Sequence, residues 1–350
     1  MRNPFKPTVA LVLGGGGARG LAHLGVLKAL EAAHVPIDLI VGCSAGAMVG
    51  TVYAFSENLA EAEERFVTFT SSPQFNKNPF RDLQAMTPME VNGDGFLKRM
   101  KRVYKMGMFF ATNLLKESYI DTRQFKKDVN SIVPDEQIEN AHIKLAIIAT
   151  DLQNGEKVVM TRGSTRSAVQ ASSAIAGVFP PVLIDGRELV DGGFVSKVPV
   201  ETAVRLGADV VIAVDVSFDV QDSQDFSRRG TAISSRASAI MAETLKNAEL
   251  KLADVVIHPD MATVHWADFA NVKDIIPHGE KAAREVMDDI RKAMRRGVWR
   301  RLLWLLGWRR RRVVSLPAHV DTTPQEILQR VAAEPIAALD EPDDEDLPAD

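Results

Sequence analysis

Short, nearly continuous apolar runs alternate with helix-like stretches over the first 260 residues. Thr8-Val-Ala-Leu-Val-Leu13 reads as a buried strand that ends in the run Gly14-Gly-Gly-Gly-Ala-Arg-Gly20. A helical pattern follows, with Leu24, Leu27, Ala29 and Leu30 at its apolar positions. Leu39-Ile-Val41 predicts a second buried strand, and Ala45 to Phe55 a second helix. Further strands are expected at Lys144–Ala149, Lys157–Met160, Val182–Ile184 with Glu188–Val190, and Val210–Val216. A long helix over Ala232–Leu252 leads to a last strand at Asp254–Ile257. Apolar strands separated by helices argue for a mostly parallel sheet covered on both faces, a three-layer α/β/α fold.

Two regions break this rhythm. Residues 66–125 hold eight of the fifteen phenylalanines, several methionines, and the cations Lys98, Arg99, Lys101, Arg102 and Lys105. That composition suits either a satellite core or an adaptable apolar pocket or lid. The second region begins near residue 291. There Val298, Trp299, Leu302, Leu303, Leu305 and Leu306 share one broad helical face between Arg295-Arg296 and Arg309–Arg312. Eleven residues from Val298 to Trp308 are too few to cross a bilayer. Beyond them, Thr323-Pro324-Gln325-Glu326 forms a capping box for a short helix over Pro324–Ala333, followed by an acidic end expected to be disordered. The expected organisation is therefore an α/β body over 1–290, a basic amphipathic segment over 291–312, and a linker, short helix and acidic tail over 313–350.

Charge sharpens this picture. The net charge is −4, yet Arg291–Arg312 carries ten basic residues and no acidic ones, whereas 331–350 carries eight acidic residues and no basic ones. The basic block predicts an anionic partner, and its apolar core favours a membrane surface over nucleic acid, the alternative being that the segment docks onto the protein's own body or a partner. With 46% hydrophobic and 25% charged residues, the composition excludes a disordered or fibrous chain. The single cysteine, Cys43, excludes a disulfide framework and a multi-cysteine metal site. The N-terminal apolar run stops at the glycines, too short for a secretory signal. The expected location is cytoplasmic, peripheral on the cytoplasmic face of a membrane.

Three motifs carry chemistry. Gly42-Cys43-Ser44-Ala45-Gly46 is a G-x-S-x-G pentapeptide between a strand and a helix, which presents Ser44 at a positive helix N-terminus. The earlier run Gly15-Gly-Gly17-Ala-Arg-Gly20 fits a dinucleotide fingerprint in spacing alone. Its acidic partner is misplaced, because Asp38 precedes the next strand instead of closing it. No Gly-Lys-Ser/Thr follows for a phosphate loop. A rim of amides serving as an oxyanion hole is the better reading, with Arg19 supporting the loop or meeting an anionic head group. The base for Ser44 has two candidate sources. One is a late histidine, His258, His265 or His278, in a Ser-Asp-His triad. The other is Asp191 of Asp191-Gly192-Gly193, acting directly if burial raises its pKa; alternatively this tripeptide is a hairpin turn. Cys43 and His23 read as buried packing residues.

Together the three motifs resemble those of the patatin-like phospholipase family, and Gly14-Gly-Gly-Gly-Ala-Arg-Gly-Leu-Ala-His-Leu-Gly-Val-Leu27 is similar to its bacterial branch related to neuropathy target esterase. The resemblance runs from about residue 8 to 217 and fades near 290. It implies Ser44 as nucleophile, Asp191 as sole base, and amides of Gly15, Gly16 and Gly17 as the oxyanion hole. Arg19, Gly20, Gly42, Gly46, Gly192 and Gly193 are the supporting positions. The implied function is hydrolysis of acyl esters of phospholipids or lysophospholipids through an acyl-enzyme, with no metal and no cofactor. The rival from another class is a membrane-associated regulatory or scaffold protein with a vestigial site. The oligomeric state stays open, a homodimer being compatible with the sequence.

Overall fold

The computed structural model describes residues 6–56, 58–72, 75, 118, 120–217 and 230–305. The cations and methionines expected at 86–108, Leu306, Trp308, Arg309–Arg312, the helix at 324–333 and the acidic end lie outside these residues. Five parallel strands form the centre of one sheet: β1 (Val9–Leu13), β2 (Leu39–Cys43), β3 (Lys144–Asp151), β7 (Val210–Val214) and β8 (Val255–Ile257), in the order β3-β2-β1-β7-β8. Antiparallel β4 (Lys157–Met160) and β6 (Arg187–Asp191) pair with β3, and β5 (Val182–Ile184) pairs with β6.

Every residue of β1 is buried because both faces of the sheet are covered. Val9, Leu11 and Leu13 join Ile147, Ile212 and Val214 in the larger core. That core takes residues from α1 (Ala22–Ala32), α2 (Ala45–Phe55), α3 (Leu59–Ser71), α4 (Thr122–Ile132) and α5 (Thr165–Ser172). Ala10, Val12, Val41 and Ile148 face the smaller core on the opposite side, with Val200, Ala203 and Val204 of α6 (Val200–Arg205) and the end of α7 (Gly230–Leu250). This is the expected three-layer arrangement. Its helices begin where polar caps stand: Asn58 accepts from the Glu61 amide, Asp121 from that of Arg123, and Ser164 from that of Ser167.

The last two helices, α8 (Val272–Glu285) and α9 (Met287–Leu305), also pack on the larger core. Helices α1 and α8 cross closely: a Cβ on Gly25 would fall 1.9 Å from the Ile276 carbonyl, and one on Gly279 1.8 Å from that of Ala22. The division expected at 290/291 falls inside α9, whose Ile290 and Ala293 are fully buried. The basic segment is therefore partly docked on its own protein. Arg300 Nη1 bonds Asp254 Oδ1 at 2.6 Å, and Arg301 Nη1 bonds Asp209 Oδ2 at 3.1 Å. Arg291, Lys292, Arg295, Arg296, Val298 and Trp299 remain exposed.

Two loops near the C-terminal ends of the strands matter for function. β1 lies between β2 and β7, so the chain leaves it towards one side of the sheet and later fills the other. Crevices of this kind are the usual ligand sites of open α/β sheets.

Candidate active site

Sheet register brings the two candidate catalytic residues together. Cys43 of β2 pairs with Ile148 of β3, and Ala149 of β3 pairs with Asp191 of β6. Ser44 and Asp191 therefore flank β3 at one level, although 147 positions apart in sequence. Ser44 Oγ donates to Asp191 Oδ2 at 2.6 Å. Both residues are buried.

The strand–helix elbow explains the local motif. Ser44 holds φ 53° and ψ −122° at the head of α2, a conformation costing about 1–3 kcal/mol for a residue with a side chain. Its amide donates to Ser172 Oγ at 2.8 Å and its carbonyl accepts from Met48. Close approach fixes the flanking glycines: a Cβ on Gly42 would lie 2.6 Å from Ala47 Cα, and one on Gly46 2.0 Å from the Leu13 carbonyl.

Asp191 is the last residue of β6 and caps a 3-10 turn over Gly192–Phe194; it does not sit in a hairpin turn. Its Oδ1 accepts the Gly193 amide at 2.7 Å. The Asp191 amide donates to Ala174 O, and its carbonyl accepts from Thr150 Oγ1 at 2.8 Å. Burial pushes the Asp191 carboxyl up, against the bonds from Ser44 and the Gly193 amide and the nearby Lys197 charge. A carboxylate with raised affinity for a proton, hydrogen-bonded to a serine hydroxyl, is equipped to act as a general base. Gly192 has no room for a side chain, since a Cβ would lie 2.5 Å from the Ile148 carbonyl.

The glycine loop requires one correction. Gly15 does not offer its amide to the site: that N–H donates to the Lys197 carbonyl at 3.0 Å, as Gly14 donates to Val214. The Gly16 and Gly17 amides have no hydrogen-bond acceptor among the described residues, so of the three expected donors these two are the candidates that remain. Gly17 stands at φ 60°, with its Cβ position 2.3 Å from the Trp266 carbonyl. Arg19 donates from Nε to the Val264 carbonyl at 2.7 Å, and the Ala18 amide donates to the Trp266 carbonyl, so the end of the glycine loop is tied to residues 264–266. Gly20 packs against Ala45, where a Cβ would approach the Ala45 Cβ to 2.4 Å.

The three histidines of the triad reading sit elsewhere. His258 Nδ1 is 3.6 Å from Asp215, His265 Nδ1 accepts the Ala267 amide, and His278 lies on α8. None is among the hydrogen-bond partners of Ser44 or Asp191. His23 is wholly buried with Nε2 2.8 Å from the Gly14 carbonyl, so it donates there. Burial lowers its pKa to about 4 and keeps it neutral. Cys43 is buried, and burial and the Asp191 charge push its thiol up, so it is a packing residue. Sequence reasoning missed Ser172, Thr150, Lys197 and Ala174, which hold the elbow, the aspartate and the glycine loop. Nothing in their local sequence marks them, because each acts across a tertiary contact. Among the described residues no group of three or more His, Cys, Asp or Glu side chains is placed to hold a metal ion.

A cavity of about 100 Å³ opens at Ser44 and is lined by Met48, Phe66, Phe69, Phe125, Phe179 and Phe269, among others. Phe125 stacks on Phe179 with ring centroids 4.1 Å apart. Ser44 therefore sits at the edge of an apolar, aromatic-walled space.

Comparison with known proteins agrees with this geometry. Residues 11–204, more than half of the chain, match the family model described as patatin-like phospholipase. The chain is 33% identical over 229 residues to mouse patatin-like phospholipase domain-containing protein 6, a match covering 65% of this chain and 15% of that protein. It is 32% identical over 208 residues to lysophospholipase nte1 of Aspergillus fumigatus, covering 59% of this chain and 12% of the relative. Mouse patatin-like phospholipase domain-containing protein 7 matches at 28% identity over 97% of this chain and 26% of its own length, so likeness continues past residue 290. The chain thus spans about a quarter or less of each relative's length.

Proposed function

Because the chain belongs to the patatin-like phospholipase family, we propose that it is a serine acyl hydrolase acting on the acyl esters of phospholipids or lysophospholipids. One observation carries this reading: the 2.6 Å bond from Ser44 Oγ to the buried Asp191 carboxylate, at the mouth of an aromatic-walled cavity. Ser44 Oγ attacks the ester carbonyl while its proton passes to Asp191 Oδ2. The Gly16 and Gly17 amides, with the positive end of α2, stabilise the oxyanion. Asp191 returns the proton to the departing alcohol. The same carboxylate then deprotonates a water that attacks the acyl-enzyme. The apolar cavity takes the acyl chain.

The exposed cations and Trp299 of α9 support a second part of the reading, attachment to an anionic membrane surface. No helix among the described residues is long and apolar enough to cross a membrane. The full chain should release fatty acid from lysophosphatidylcholine or phosphatidylcholine, and Ser44→Ala should release none above background. Equal release by the Ser44→Ala protein would place the chemistry elsewhere.

A further inference from the structure

The site is built from two loops that do not follow one another in the chain. One is the glycine loop after β1; the other is the turn after Asp191. Both are tied to the same helix, α7, through two side chains one turn apart, Lys246 buried and Glu249 half-buried.

Lys246 reaches the first loop. Its Nζ donates to Asp215 Oδ2 and to Ser217 Oγ, each at 2.9 Å. Asp215 Oδ1 in turn accepts the Ser217 hydroxyl at 2.6 Å and the Ser217 amide at 2.9 Å. Asp215, Ser217 and Lys246 are all nearly inaccessible to solvent. The residues that this network fixes form the floor of the glycine loop. Val214 accepts the Gly14 amide, and a Cβ on Gly16 would stand 2.7 Å from Val216 Cγ2.

Glu249 reaches the second loop. It accepts the Ser196 hydroxyl at 2.5 Å through Oε1 and the Glu201 amide at 3.3 Å through Oε2. Ser196 closes the turn after Asp191 by donating its amide to the Gly192 carbonyl. The next residue, Lys197, offers its carbonyl to Gly15. Glu249 therefore pins the joint where the base-bearing turn meets the oxyanion loop.

We propose that α7 is a strut that sets the position of the oxyanion donors relative to the nucleophile and its base, with Lys246 and Glu249 as positioning residues for the acyl-hydrolase chemistry assigned above. Neither side chain hydrogen-bonds to Ser44 or Asp191 in the structure. Displacements well under 1 Å at either loop matter because oxyanion stabilisation depends on donor distance, and 1 Å of misplacement costs about 100-fold in rate.

The test uses the full chain with a short, soluble ester such as nitrophenyl butyrate, and thermal melting in parallel. Ser196→Ala and Glu249→Met each remove one side of the same part-buried hydrogen bond with little change in volume. Each should lower kcat about 10-fold, with KM within about twofold and the melting midpoint nearly unchanged. The double variant should be no worse than the poorer single one, because both lose one shared contact. Lys246→Met combined with Asp215→Asn tests the other arm without stranding a buried carboxylate, and should show the same loss in kcat at constant KM. Variants with wild-type kcat, or losses that multiply independently in the Ser196/Glu249 double variant, would overturn the strut. So would losses confined to KM or matched by lower melting points. A wild-type chain that neither hydrolyses the ester nor is labelled at Ser44 by a fluorophosphonate would instead remove the acyl-hydrolase reading itself, and the strut with it. An active wild type with unaffected variants removes the strut alone.

Discussion

Ser44 and Asp191 each occupy a costly state, one in backbone conformation and the other in burial of charge. The sign of the Asp191 effect gives a double prediction. Its folded pKa is raised above the unfolded value, so the carboxyl favours the fold when protonated and loses that contribution as pH rises through the folded pKa. Asp191→Asn should thus match or exceed the wild-type melting temperature at pH 7, and the difference should close below about pH 4. Turnover should fall about 100- to 10,000-fold, because the amide accepts no proton. In the wild type, the acidic limb of kcat/KM should lie above the ordinary aspartate value of about 3.9. A pH–rate profile and melting curves of both proteins check these outcomes. Ser44 and the glycine loop were legible from the sequence, because steep turns and helix N-termini need particular residues at fixed spacing, whereas Asp191 stood beside three late histidines until the family resemblance singled it out. Which loop amides face the site was not legible. The Gly15 amide is consumed by a carbonyl at Lys197, a contact that no local pattern encodes.

At the scale of elements, the buried strands were readable as apolar runs, and α2 occupies the expected Ala45–Phe55. Two differences have physical reasons. The strand near Glu188 extends to Asp191 because pairing with β3 continues to Ala149. The sheet also gains antiparallel β4, β5 and β6 on one side, which short apolar runs do not distinguish from parallel strands. The α8 stripe of Val272, Ile275, Ile276, Gly279, Ala282 and Ala283 has helical spacing, yet its glycine gains meaning only from the α1 backbone beside it. Gly279→Ala should force these helices apart and cost about 1–3 kcal/mol. That corresponds to a lower melting temperature by several degrees, at about 2–4 °C per kcal/mol for a large domain. An unchanged melt would show that the crossing relaxes freely.

For the whole molecule, charge segregation along the chain predicted a membrane-surface segment separate from the body, whereas the described part of α9 is docked on the protein's own core and keeps one exposed basic face. Its Ile290, Ala293 and Gly297 pack inward, and Arg300 and Arg301 are spent on Asp254 and Asp209. Cutting the chain near residue 290 would strip the core, so the membrane role is better tested on the exposed face. Replacing Lys292, Arg295 and Arg296 with serine removes about 1 kcal/mol of attraction per cation near an anionic surface, and Trp299→Ser removes an apolar anchor. This variant should co-sediment less with phosphatidylserine vesicles at low salt while hydrolysing a soluble ester at the wild-type rate. Undiminished sedimentation would assign the surface to another part of the chain.

The central claim is that Ser44 is a nucleophile activated by Asp191. Its most direct test is to treat the full-length protein with a fluorophosphonate and locate the adduct by peptide mass spectrometry. The account predicts one stoichiometric adduct on Ser44, formed at least about 100-fold more slowly in Asp191→Asn. An adduct on any other residue, or equal labelling of Ser44 without the aspartate, would contradict it.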